Sequence, residues 1–458
     1  MIKTTKIPQV STIRFLRHAG DILKNPLPFH AENFSKHGDT FQLNLGFGKF
    51  VIFSRDAGFV QYALQKNQKN YTKSPIQTVD VAKYVGNGLL TAEGEHWRKQ
   101  RKLIQPAFHK KQLYNLLDRI EEAIRTELKH IKTGKNIDIF PIFNDLAFQT
   151  VVKSLFSSAV GADEINRLQH ITEATQKMLV RELRQPFKGW WFNWSGQIKK
   201  HTDYTDEARE ILIKLVQQRQ RSNERHDDLL DMLLEARYDD GAAMDEKQLV
   251  DEILILFTAG HETTSNALTF TSQLLAQHQD IQQQVYEEIA EIKAKTTDLL
   301  PFLKGLTYTK QVIEESLRLY PPAYFIDRMN IEDDEFEGLK IPAASRLLFS
   351  IQEVHTNPDF WEAPDTFDPS RFAEGNPSKY SSHYFPFGAG PRMCIGNNFA
   401  MYEMILAVAE LIFNFKILKK DTPIEILPLI TLKPKNAFLE FEKRVICQAE
   451  RSRSPLSQ

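Results

Sequence analysis

The chain has 458 residues, 42% hydrophobic and 26% charged, with a formal net charge of −1, the composition of an ordinary globular protein with room for a large core. Near-neutral charge argues against a global electrostatic partner such as nucleic acid, so any charged docking face is local. The two cysteines, Cys394 and Cys447, are too few for a disulfide framework and show no CxxC or CxxC…H spacing for zinc.

Residues 1–29 read as an irregular leader packed on the domain. They hold no apolar run of signal-peptide or membrane-span length, so no integral membrane anchor and a cytoplasmic location are expected. Residues 30–445 read as one domain and 446–458 as a disordered tail. In the first ninety residues, short β-type runs such as DTFQLNLGFGKFVIFS alternate with helical pieces and turns. From about 92 to 290 the pattern is mainly helical: HWRKQRKLIQPAFHKKQLYNLLDRIEEAIRTELKHI spaces its apolar residues by three and four, with a break at Pro106. An aromatic patch, QPFKGWWFNWSG at 185–196, interrupts the helices.

The stretch 244–279 has no strong breaker except Gly260. As one helix it is about 50 Å long, with an apolar centre suited to the middle of the fold. Beyond residue 320, prolines, short strands and turns lead to a helix over 395–415. The fold class expected is mainly α with minor β.

Cys394 stands just before that last helix, in FPFGAGPRMCIGNNFA. Free amides and the helix macrodipole favour negative charge there, lowering a thiol pKa and suiting a nucleophile or a metal ligand. A buried free cysteine is the ordinary fate of a lone thiol, but it leaves Gly388, Gly390, Gly396 and Arg392 unexplained. A nucleophilic cysteine needs a histidine base, and none is near in sequence.

FGAGPRMCIG (387–396) resembles the haem-ligand loop of the cytochrome P-450 superfamily, Phe-Gly-x-Gly-x-Arg-x-Cys-x-Gly, at every fixed position. Three further motifs follow the family order. EESLR (314–318) is similar to Glu-x-x-Arg; Glu315 and Arg318 share a helix face, and the resemblance adds Arg371 of FDPSRF as third member of a structural network. AGHETTS (259–265) resembles the oxygen-binding segment, with Ala259 and Gly260 leaving room above an iron. Thr263 can bond the carbonyl four residues back. EHWRKQRKL places Trp97 and Arg101 as in Trp-x-x-x-Arg, which holds a haem propionate; Arg328 and Arg392 fall where relatives keep further propionate-binding arginines.

The resemblance covers residues 30 to 445 and leans toward soluble bacterial fatty-acid-hydroxylase-like haem domains without a fused reductase, through AGHETTS and ITLKP (430–434). It implies a single large domain whose long central helix crosses haem b (iron protoporphyrin IX). Cys394 is then the thiolate ligand, Phe387, Gly388 and Gly396 shape its loop, and Thr263 with Glu262 manage O2 and protons. Leu90, Tyr324, Phe325 and Ile430, with Ala259, are expected at the substrate pocket, Tyr324 as a polar handle.

The implied reaction is monooxygenation of a mostly apolar molecule such as a fatty acid, terpenoid or carotenoid. The strand KFVIFS carries no Arg/Tyr pair of the kind that anchors fatty-acid carboxylates. Alternatives are a ring substrate such as a methylated sugar or polyketide, a peroxide-driven peroxygenase, and a non-catalytic haem sensor; the intact Glu262–Thr263 pair weighs against the last two. GWWFNW is either core or an apolar entrance or stacking platform. With no flavin or iron–sulfur motif, electrons are expected from NAD(P)H through a separate reductase and a ferredoxin or flavodoxin. That carrier would dock on a basic face of Arg98, Lys99, Lys102, Lys110 and Lys111.

Overall fold

The computed structural model describes residues 6–46, 49–157, 160–222, 224–376 and 380–444. The first five residues, the expected tail over 446–458 and Cys447 lie outside them.

The leader is not irregular. Gln9–Val10 (β1) pairs in parallel with Thr40–Gly46 (β2), and Thr12–Lys24 (α1) is a helix opened by Ser11, whose hydroxyl accepts the Arg14 amide. A serine N-cap ahead of Ile13, Leu16 and Leu23 is a helix-start pattern, which interleaved arginines and Gly20 obscure in the sequence. α1 buries none of its residues.

Helices of eleven residues or more carry the rest: Leu27–His37 (α2), Gly94–Ile104 (α3), Leu117–Leu128 (α4), Phe140–Phe156 (α5), Ala162–Arg184 (α6), Gln197–Ser222 (α7), Glu246–Gln277 (α8), Gln279–Lys295 (α9), Thr307–Leu319 (α10) and Asn397–Asn414 (α11). α8 is the expected central helix, and its 32 residues span about 48 Å. Asp245 caps it by accepting the Gln248 amide. Its apolar residues, among them Ile253, Phe257, Leu268 and Leu275, are buried all round, as its position among α5, α7, α9, α10 and α11 requires.

The minor β part is a six-stranded sheet that adds Lys49–Ser54 (β3), Tyr71–Thr72 (β4), Phe325–Asn330 (β5) and Arg346–Ser350 (β6) in the order β1-β2-β3-β6-β5-β4. Parallel pairing of β3 with β6, in the register Val51–Arg346, brings the N-terminal strands beside a segment nearly 300 residues later in the chain. A separate hairpin, Glu425–Pro428 (β7) with Leu432–Lys435 (β8), lies against α8, where the Asn266 amide donates to Thr431 Oγ1 at 3.0 Å.

α10 fastens these parts together. Arg318 makes a two-pronged pair with Glu315, Nε to Oε2 at 2.7 Å and Nη2 to Oε1 at 2.8 Å, and both side chains are 0% exposed. The remaining Arg318 donors reach the carbonyls of His355 (2.9 Å), Pro364 (2.7 Å) and Thr366 (3.1 Å). Arg371 stands 3.4 Å from Glu315 and donates to the Glu362 and Ala363 carbonyls. Burial pushes the Glu315 carboxyl up, and the two arginines oppose that push.

Arg318→Ala would leave the Glu315 charge buried without its partner, at a cost of about 3–5 kcal/mol. A urea titration followed by circular dichroism is expected to show that loss. Arg318→Lys should recover little of it, because an ammonium cannot serve both carboxylate oxygens and three carbonyls at once.

Candidate active site

The cysteine loop is shaped by backbone approach. Gly388 and Gly390 adopt φ of +72° and +70°, the left-handed region glycine tolerates, and a Cβ on Gly390 would overlap the Leu64 carbonyl. The Cys394 amide donates to Phe387 O at 2.9 Å, which closes the loop three residues before α11 begins. From the other side the network around Arg318 reaches it: the Phe385 amide donates to His355 Nε2 at 2.7 Å, and Tyr384 donates to the Glu314 carbonyl at 2.9 Å.

Protein encloses the Cys394 sulfur, yet the residue retains accessible surface. Ala259 is likewise accessible in the middle of α8, between half-buried Thr258 and Gly260. Both therefore border space inside the fold. The expected lowering of the thiol pKa by the helix start is not what this environment produces. Burial pushes the thiol up, and only the Gly396 amide and the Arg101 charge oppose it. A metal cation is the partner that would hold such a buried sulfur as thiolate.

The positive residues fit haem carboxylates, with one addition. Arg392 lies 4.1 Å from the centroid of the Trp97 ring, pairs with Glu93 and donates to Ala92 O. Arg328 is buried on β5 and donates to its neighbouring carbonyl at Asp327; burial pushes it down to about 10, and Arg392 adds to that. Arg101, expected at a propionate, donates through Nη1 to Met393 O at 2.8 Å and faces the cysteine loop.

Lys73, absent from the sequence reading, joins the cluster. Its ammonium donates to Leu90 O at 2.5 Å and Leu89 O at 3.2 Å, and burial with the Arg392 charge pushes it down to about 7. Lys73, Arg328 and Arg392 face only Glu93 and Asp327 as anions. That excess of buried positive charge suits added carboxylates, so the residues present fit haem. Nothing in YTKSP marks Lys73 in advance, because its role arises from contacts made across a loop.

On α8, Thr263 Oγ1 donates to Ala259 O at 2.8 Å, as its spacing predicts. Gly260 does not make room above the cysteine; a Cβ there would stand 3.0 Å from Val151 of α5, so it permits close helix packing. Glu262 accepts from Thr431 and lies 3.8 Å from Lys433, reaching toward the β7–β8 turn. Glu403 of α11 is buried where Thr150 and Thr264 face it. Burial pushes its carboxyl well above the usual range, and the two threonine hydroxyls oppose that push.

Of the expected pocket residues, Leu90 packs with Tyr84, Met178, Leu179, Phe192 and Ile255 in one apolar cluster. Tyr324 is no polar handle: its ring packs with Leu27, Phe270 and Leu432, and its hydroxyl donates to Leu429 O at 2.6 Å. Phe325 is edge-on to Tyr324 and to His30, and Ile430 is exposed at the β7–β8 turn. The aromatic patch divides: within the short helix Gly189–Trp194, Phe192 is buried, while Trp190, Trp191 and Trp194 are 70%, 41% and 76% exposed.

Arg98, Lys99, Lys102, Lys110 and Lys111 are all exposed. Arg98 pairs with Glu95 and Lys102 with Asp239. For Lys99, Lys110 and Lys111 no ion pair is seen among the described residues. No helix among them is long and apolar enough to cross a membrane.

The chain is similar to a cyclooctat-9-en-7-ol 5-monooxygenase of Streptomyces melanosporofaciens, 28% identical over 89% of this chain and 88% of the relative. It is 27% identical to a pentalenene oxygenase of Streptomyces avermitilis, over 87% and 88% respectively. Its fold matches a retinoic-acid-bound cyanobacterial CYP120A1 with a TM-score of 0.81 and 26% identity, covering 93% of this chain and 96% of that one. The Cytochrome P450 family model matches residues 7–441, and with the cysteine loop, the buried Glu–Arg pair and the Thr263 bond to the Ala259 carbonyl in place, the chain belongs to the cytochrome P450 family.

Proposed function

We propose that this cytochrome P450 monooxygenase oxidises a C–H bond of a mostly apolar, terpenoid-like molecule, with electrons from a separate acidic carrier protein. The observation that carries the substrate class is the apolar cluster of Leu90, Met178, Leu179, Phe192 and Ile255. Ile255 lies four residues before Ala259, on the same face of α8, so the cluster continues the wall that Ala259 forms. The oxygenases of cyclooctat-9-en-7-ol and pentalenene, and the retinoic-acid-bound relative, support ligands of that kind.

Haem b, held by Cys394 with its carboxylates toward Lys73, Arg328 and Arg392, would supply O2 activation and insertion of one oxygen atom. The chain's own part is to place the substrate and deliver protons. Thr263 holds a proton at Oγ1, and its bond to Ala259 O fixes where that proton sits on α8. Glu262 stands one residue away and links to Thr431 and Lys433, a route by which protons reach Thr263 from the β7–β8 side. Apolar residues around the site exclude bulk water, which strengthens each of these interactions.

Trp190, Trp191 and Trp194 line the outer side of the helix whose Phe192 reaches the cluster. They form an apolar entrance for a lipophilic substrate. Lys99, Lys110 and Lys111 form the docking face for an acidic ferredoxin or flavodoxin, itself reduced from NAD(P)H.

The reduced, carbon monoxide-treated protein is expected to show the absorption band diagnostic of thiolate ligation, and Cys394→Ser to lack it. In a spectral titration panel, terpenoids and retinoids should displace the iron's water ligand while methylated sugars leave the spectrum unchanged; the reverse pattern would overturn the substrate class. Trp190→Ala with Trp191→Ala should weaken that binding about tenfold at unchanged haem content. Changing Lys99, Lys110 and Lys111 to glutamate is expected to slow reduction by an acidic ferredoxin about tenfold at low salt and to flatten its dependence on ionic strength.

A further inference from the structure

We propose that Asp251 and Glu252 of α8, with Arg209 of α7, form a carboxylate latch that holds the loop 86–90 closed over the substrate space and sets the rate of ligand entry and exit. These are positioning residues; none touches the expected reacting atoms.

The latch is built from backbone amides. Asp251 accepts the Asn87 amide at 2.9 Å and Glu252 accepts the Leu89 amide, also at 2.9 Å. Neighbouring helix residues diverge by about 100°, so the two carboxylates grip the loop at separate points. Gln248, one turn before Glu252, donates to both Glu252 Oε1 (2.9 Å) and Asn87 O (3.1 Å). The opposite side of the loop is held by the Lys73 ammonium through the Leu89 and Leu90 carbonyls.

Two glycines make this approach possible. A side chain on Gly86, at φ +83°, would collide with Asp251 and Arg209; one on Gly88 would come within 2.7 Å of the Glu252 carboxyl and 2.8 Å of Ile255. Both carboxylates are buried, a costly arrangement unless their hydrogen bonds are filled. An apolar pair would pack more cheaply at the same positions. What carboxylates add is a reversible grip on amides that no aliphatic side chain offers.

Arg209 extends the grip to α7. It pairs with Asp251, and Thr205, one turn earlier on α7, donates to the Tyr84 carbonyl at 3.1 Å. The same loop contributes Leu90 to the cluster holding Phe192, Met178 and Leu179. Movement of α7 therefore withdraws a partner from Asp251 just as the loop is freed, and the two openings are one event.

Burial pushes the Glu252 carboxyl up to about 7 and Asp251 adds to this; the Leu89 amide, Gln248 and Lys73 oppose it. Arg209 faces the adjoining Asp251 and Tyr238 stands on the outer side. Opening returns Glu252 to water and to its lower ordinary value. The closed loop thus binds the extra proton, so closure weakens as pH rises toward 7 and levels off beyond.

The test uses hydrogen exchange of the Asn87 and Leu89 amides, together with stopped-flow binding of n-butyl isocyanide, an uncharged iron ligand, to the haem-loaded protein. In Glu252→Ala and Asp251→Ala, exchange at these amides and both the on- and off-rates of the isocyanide should rise about tenfold, with little change in affinity. Glu252→Gln retains an acceptor oxygen, so it should keep slow rates but lose the rise in wild-type rates between pH 5.5 and 7. Gly88→Ala should behave as an open loop even if the alanine variant of Glu252 does not fold. Unchanged amide exchange in the folded variants overturns the latch; faster exchange with unchanged ligand rates overturns its role as a gate. The exchange measurement needs no haem, so a fault in the substrate or cofactor reading leaves the latch decidable.

Discussion

The pair between Glu315 and Arg318 is the interaction on which the rest of the site depends. One guanidinium with no exposed surface binds a carboxylate and three carbonyls from the segment 355–366. That segment returns through His355 to Phe385 and so sets where the cysteine loop starts. A buried pair of this kind is poor evidence of stability in itself, since apolar replacements often do as well. Its value is directional: the donors of one arginine specify the path of a long irregular segment with little regular hydrogen bonding of its own.

Around the site, burial acts on charges of both signs. Lys73 and Arg328 are pushed down, and Cys394, Glu252 and Glu403 are pushed up. Each shift has the same origin, the cost of holding charge away from water. The cations gather where haem carboxylates fit, and the thiol waits for a metal cation. The protein chain alone is thus electrostatically incomplete, and haem supplies both missing signs, anionic at its edge and cationic at its centre.

The sequence made the cysteine loop, the Glu–Arg pair and the central helix legible because each depends on local spacing. Phe387, Gly388, Cys394 and Gly396 act within ten residues, and Thr263 bonds within one turn. Where expectation failed, the deciding contact was distant. Gly260 reads as space above an iron until Val151 of α5 is seen against it. Tyr324 reads as a pocket hydroxyl until the Leu429 carbonyl is seen accepting its hydrogen bond. Lys73, Asp251 and Glu252 carry no motif at all, since their partners are backbone amides and carbonyls, which sequence patterns do not distinguish.

The division of the aromatic patch has an optical consequence. Of the five tryptophans, Trp97 and Trp361 are buried in the body, while Trp190, Trp191 and Trp194 sit exposed on one short helix. Solvent-exposed indoles emit at longer wavelength than buried ones, so the red side of the protein's fluorescence comes from a single place, the Gly189–Trp194 helix. The molecule carries its own dye there, and energy transfer from that dye to haem would make any change in its distance from the cofactor readable as brightness.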